Sequence, residues 1–347
     1  MGDHQLLKLV RIRHKALVRV MFVFVVLLAL LNLGNTLQNY HNQQKYIMSP
    51  AEFISTKKQA AKHKDDFYVN KSYADYREDQ RYLVEPQRDK LYSSSLVGLA
   101  ITIIHYVIPL IFGLAMAGMD QASNFNAAIF KSRFKRRQLF TTRYWYGLAC
   151  LLGATTIGIC ITLLGYNVGV PAAYVGISGL NILGLFMTNL AVNSFMFTAG
   201  VAVGSIFASL FGMFVFGLLG GWLGMSAVQR FLIKTVMTNQ SYRSLWSHGD
   251  QFFLFLFAMA LVASAAGYWI TRWLFDRISL ENEGDILLLP KLRWVIFVYA
   301  LIVVPYNFGD WLFQNELLSY SVSIIGVLAL GLWWLHRERA QEQLMVR

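Results

Sequence analysis

Residues 120–145 read DQASNFNAAIFKSRFKRRQLFTTRYW. Six cations stand in this stretch (Lys131, Arg133, Lys135, Arg136, Arg137 and Arg143), in a chain that is 56% hydrophobic and only 14% charged. A soluble globule carries roughly a quarter charged residues. This composition points instead to a membrane, and the apolar sequence on both sides of the stretch decides how. Crossing about 30 Å of hydrocarbon takes near twenty apolar residues as a helix, and runs of that length recur along the chain.

Working outward from residues 120–145, the spans read as Leu17–Leu33, Leu96–Met116, Tyr144–Leu164, Val175–Phe195, Val201–Gly224, Phe252–Trp273, Trp294–Gly309 and Ser319–Leu335. The expected fold is all-α and polytopic, with about eight transmembrane helices. Ala172–Met225 is almost unbroken apolar sequence, so the cut between the fourth and fifth spans is the least constrained. Placing the N-terminus in the cytoplasm puts eighteen Lys and Arg residues on the cytoplasmic side. Only Arg230, Lys234 and Arg243 then lie in the short outside loops. That asymmetry is the positive-inside pattern, with both termini cytoplasmic in a multi-pass cell-membrane protein. No small-residue cleavage site follows Leu33, so the first span reads as an uncleaved anchor.

Three segments result: 1–34, an amphipathic cytoplasmic N-terminus and the first span; 35–94, an extracytoplasmic insert; and 95–347, a bundle with cytoplasmic loops at 118–143 and 274–293. The insert holds ten cations, eight acids and many tyrosines, and reads as helical near the membrane face. It is either a contact surface or a solvated cap. Leu6, Leu7, Val10 and Leu17 recur at helical spacing among basic residues, which suggests a helix lying on the inner leaflet beside anionic lipid. A bare topology signal is the other reading.

The spans hold almost no ionisable groups, unlike those of a pump that carries its own ions. His105 is the clearest exception, and Asp310 lies near an outer edge. No Gly-x-x-x-x-Gly-Lys-Ser/Thr phosphate loop occurs, so any ATP and Mg would be bound by another subunit. No cluster of His, Cys, Asp and Glu has metal-ligand spacing. Cys150 and Cys160 stand about 15 Å apart along one helix, too far to bond. Topology already explains the basic loops, so they do not call for nucleic acid. Gly176-Ile177-Ser178-Gly179 matches the short serine motif of rhomboid proteases, yet no later span offers the histidine that would activate Ser178.

Gly200 and Gly204, Gly217 and Gly221, and Gly220 and Gly224 have the spacing of close helix packing, within one subunit or across a seam. Asn181, Asn189 and Asn193 fall along one face of the fourth span. Such a stripe glues helices or lines a path, and a translocation path would also take in His105.

After Gly118 the chain turns at Asp120. It continues with Phe125, Ala128 and Ile129 at helical spacing, passes Ser132 and Arg133, and re-enters the membrane at Tyr144. This order resembles the first cytoplasmic loop of permease subunits in type 2 ATP-binding cassette exporters. The resemblance implies a coupling helix seated in a groove of the ATPase. Asp120 would take the family's acidic place, Ser132 with Arg133, Lys135, Arg136 and Arg137 the turn, and Arg143 the usual lysine. Asp replaces the commoner Glu, and Phe134 stands where proline is frequent. Glu281-Asn282-Glu283-Gly284, followed by Leu287 to Pro290, is similar to a late cytoplasmic loop in Gram-positive permeases of this group, as is Pro171-Ala-Ala-Tyr before a long span. The implied partners are two cytoplasmic ATP-binding subunits, a second permease copy or a related one, and membrane lipid. The implied function is ATP-driven export of a peptide, antibiotic or lipid-like cargo. An immunity or sensing subunit and an intramembrane serine hydrolase are the alternatives.

Overall fold

The structure is a computed structural model that describes residues 2–63, 71–86, 91, 103–123, 125–130, 134–207, 209, 212–213, 217, 219–224, 226–227, 230, 249–278, 287–289, 292–308 and 315–345. It is 87% helix, with no strand among the described residues. In chain order the helices are α1 (Gly2–Lys45), α2 (Pro50–His63), α3 (Tyr73–Asp79), α4 (Ile103–Ala122), α5 (Phe125–Phe130), α6 (Arg136–Gly169), α7 (Gly179–Ile206), α8 (Gly249–Asp276), α9 (Arg293–Phe308) and α10 (Glu316–Met345). Among the described residues four stretches are long and apolar enough to cross a membrane: His4–Lys45, Arg136–Gly169, Gly179–Ile206 and Leu317–Leu335. Val107–Gln121 and Arg293–Phe308 are shorter apolar helices. A membrane protein has this profile.

The bundle is built from pairs. α1 runs along α6, α4 along α7, α8 packs on α7 and α6, and α9 pairs with α10. Glycines set the closest approaches. A Cβ at Gly200 would meet the Leu110 carbonyl oxygen, and one at Gly204 would lie 2.7 Å from that of Leu114. On the facing helix a Cβ at Gly113 would meet the Phe197 oxygen. α4 and α7 therefore touch backbone to backbone, which is how small residues drive association in lipid. Gly217 and Gly224 likewise pack inside the chain, against Val203 and Tyr299. Gly158, Gly165 and Gly169 give α1 its seat on α6, facing Val25 and Ala29, Leu33, and Leu37 in turn.

Two readings of the sequence need correction. The N-terminal segment is not a separate helix on the leaflet; it is the first third of α1, a 44-residue helix. No proline and no glycine between Asp3 and Leu33 interrupts it. Leu6 and Val10 turn into the protein, in one apolar cluster with Ile129, Leu139, Phe140 and Phe275. The fourth span also does not end at Phe195. α7 runs unbroken through 195–201 and stops at Phe207, where the chain bridges Leu287 and Leu288 donates its N–H to the Ile206 carbonyl at 2.9 Å. Gly200 leaves the helix intact because its missing side chain is filled by α4.

The described part of the insert is helical and docks on the far end of α1. Phe53, Tyr73 and Tyr76 form a small aromatic core, and Tyr40 Oη donates to the Arg81 carbonyl at 3.0 Å. Its last residues reach the start of α7: Leu83 N–H donates to Tyr174 O and Gly176 N–H to Val84 O, each at 3.0 Å.

Candidate functional site

Asp120 is the only acid between Asp89 and Asp250, and it is fully buried at the end of α4. A bare carboxylate in that position would cost several kcal/mol, so it must find cations. It finds them on two other helices. Arg13 Nε of α1 donates to Oδ1 at 3.3 Å, and Arg143 Nη1 of α6 donates to Oδ2 at 3.2 Å. His14 Nε2, also fully buried, lies 3.3 Å from Oδ2, off the hydrogen-bonding direction.

Arg143 is 1% exposed. Its Nε and Nη2 have no hydrogen-bond acceptor among the described residues. The guanidinium lies instead over Phe275 of α8, 5.0 Å from the ring centre, and 5.9 Å from that of Phe140. One buried pair thus gathers α1, α4, α6 and α8.

The neighbouring cations close helix ends, whose last carbonyls have no partner within the helix. Arg13 Nη2 donates to Met119 O at 3.0 Å. Arg136 Nη1 donates to Asp276 O at 3.2 Å and to Ile278 O at 2.7 Å, while Arg137 pairs with the Asp276 carboxylate. Lys135, Arg137 and Gln138 stand exposed at the start of α6.

Of the residues the sequence put at a partner interface, Asp120, Ile129 and Arg143 are buried, and Phe125 is half-buried with the Arg13 guanidinium 5.4 Å over its ring. Burial leaves Asp120 and Arg143 no surface to offer a partner; they hold helices together. Lys135 and Arg137 keep exposed faces. Ser132, Arg133, Glu281, Asn282 and Gly284 lie outside the described residues, as does the side chain of His105.

The asparagines of the stripe hydrogen-bond within the chain. Asn181 Oδ1 accepts from Ser178 N–H at 3.0 Å, and Ser178 Oγ accepts from Asn181 N–H at 3.2 Å, which closes the first turn of α7. Asn189 Nδ2 donates to Thr155 Oγ1 of α6 at 3.2 Å, and Asn193 donates to Asn189 Oδ1. All three asparagines are buried. A second polar seam, which the sequence reading missed, joins α6, α7 and α8: Tyr144 Oη bonds Thr198 Oγ1 at 2.6 Å, and Thr141 Oγ1 bonds Tyr268 Oη at 3.2 Å. Arg13 and His14 were missed as well. The signal available for them was the lone acid at 120, which demands cations without saying which.

Comparisons of the chain with protein-family models, with curated proteins and with solved structures give no match.

Proposed function

We propose that this chain is the membrane-spanning permease subunit of an exporter driven by two separate ATP-hydrolysing subunits, as the loop pattern at 120–143 suggests. The observation that carries the reading is the depth of the basic stretch. Exposed Lys135 and buried Arg143 are eight residues apart, about 12 Å along α6. A push received at the surface is therefore delivered, in just over two turns, to a side chain bonded to Asp120 and through it to α1 and α4.

Eight crossings with both termini in the cytoplasm remain our topology. The course of the chain supports it: α7 starts beside the insert and ends beside Leu287, and Gly220 and Leu223 then pack against Tyr299 and Asn307 of α9. ATP and Mg belong to the partner subunits, and the cargo is a peptide, antibiotic or lipid-like molecule. A second permease, identical or related, completes the assembly. The hydrolase reading loses ground, because the Ser178 hydroxyl is committed to capping α7.

The test is co-purification of the tagged chain from its native host, with ATPase assay, beside a Lys131→Glu, Arg133→Glu, Lys135→Glu variant. Those changes spare Arg136, Arg137 and Arg143, which hold the bundle. The expected result is a phosphate-loop ATPase bound to the wild type and lost from the variant. Wild-type material without an ATPase would sink the proposal and favour the sensing alternative.

A further inference from the structure

The last turns of α8 and the residue just after it carry two tryptophans and two arginines, Arg272 partly exposed and Arg277 exposed. Trp269 is 62% exposed and Trp273 49% exposed. Arg272 lies over the Trp269 ring at 5.1 Å, and Arg277 over the Trp273 ring at 3.7 Å. Stacking of this kind fixes a guanidinium plane while leaving its N–H edges free to donate.

Nothing among the described residues takes up those edges. No acid among them pairs with Arg272 or Arg277; Arg272 Nε is buried against the protein without a hydrogen-bond partner, which leaves its terminal nitrogens as the donors. Capping α8 does not require them, because Arg136 already occupies the Asp276 and Ile278 carbonyls. Asp276, the one acid among the described residues at that end, is held by Arg137.

The surroundings of these tryptophans and arginines say what meets them. Along the same helix Met259, Val262 and Ile270 are exposed apolar residues, and on α6 Trp145 is exposed with its ring 5.7 Å from Tyr268, the neighbour of Trp269. Exposed apolar side chains that give way to tryptophan and then to arginine are the profile of a lipid-facing helix crossing into the headgroup layer. Arginine there attracts anionic lipid.

We infer that Trp269, Arg272, Trp273 and Arg277 form a binding site for the phosphate of an anionic bilayer lipid, seated against the end of α8. The two guanidiniums donate to the phosphate oxygens and the indoles bracket the upper acyl chains. The site needs only that the chain is membrane-embedded, and it stands apart from the permease reading.

The test uses the full chain reconstituted in equimolar phosphatidylcholine and phosphatidylglycerol vesicles, extracted, and weighed by native mass spectrometry to count retained lipids. The wild type retains phosphatidylglycerol several-fold over phosphatidylcholine, and millimolar inorganic phosphate does not displace it. Arg272→Gln with Arg277→Gln brings the ratio to parity, whereas Arg272→Lys with Arg277→Lys, which keeps the charge and guards against misfolding, retains a preference. An unchanged ratio in the glutamine variant overturns the site. Displacement by inorganic phosphate overturns its assignment to lipid.

Discussion

The two ends of this bundle are joined by different physics. At the basic end, a fully buried aspartate holds two arginines from different helices, with aromatic rings packed over the charges. At the insert end, Tyr40 and Gln44 of α1 donate to the Arg81 and Gln80 carbonyls just after α3, α2 and α3 meet in a small aromatic core, and the half-exposed pair Lys71–Asp79 closes on α3 itself. Removing one partner from a buried ion pair strands a charge and costs far more than losing an exposed pair, which contributes at most about 1 kcal/mol. The basic end therefore moves as a unit or not at all, while the insert end can adjust contact by contact.

The largest effect should come from Asp120→Asn. Leaving Arg13 and Arg143 unneutralised should cost about 3–5 kcal/mol, read as a large drop in thermal stability in detergent. The double change Asp120→Leu with Arg143→Met should recover much of that loss. A mild effect of the single change would put the two ends on a par. Gly200→Ala should come next, because its Cβ meets the Leu110 oxygen and lies 2.9 Å from Leu114 N, which forces α4 and α7 apart at about 1–3 kcal/mol. Gly221→Ala, with open space around it, is the control and should leave the melting temperature unchanged or slightly raised.

How far the sequence could foresee this depends on the kind of interaction. Spans are legible because hydropathy is a local property, and the Gly200–Gly204 spacing already pointed to close helix packing. Arg13–Asp120 was not legible, since it joins residues 107 apart and several equivalent cations were available. The asparagines were seen as one stripe, but which helix they meet is not written in their spacing; Thr155 on α6 takes the bond from Asn189. The end of α7 was misplaced because an apolar run carries no mark of where it turns; Phe207 is fixed by Leu287, far along the chain.

Two smaller effects sharpen the contrast. Tyr144→Phe removes the bond to Thr198, which keeps its own bond to the Ser194 carbonyl, so a loss of about 1 kcal/mol in thermal stability is expected. At the insert end, Ser72 hydrogen bonds hold the Asp75 carboxyl below its ordinary value of 3.8. A depressed carboxyl stabilises above its unfolded value and stops doing so as pH falls through the folded one. Hydrogen exchange at the start of α3 should therefore quicken only below that value, and locally; Ser72→Ala, which removes the hydroxyl and keeps the backbone N–H donor, should shrink the pH step.

The most direct test places a photo-crosslinking amino acid at Lys135, exposed at the start of α6, and activates it in native membranes. A crosslink to a cytoplasmic chain bearing a phosphate loop, diminished by Asp120→Asn, is the result expected if surface and knot form one drive connection. Crosslinks to lipid alone would mean that this basic stretch meets the membrane rather than an ATPase, and the exporter reading would fall.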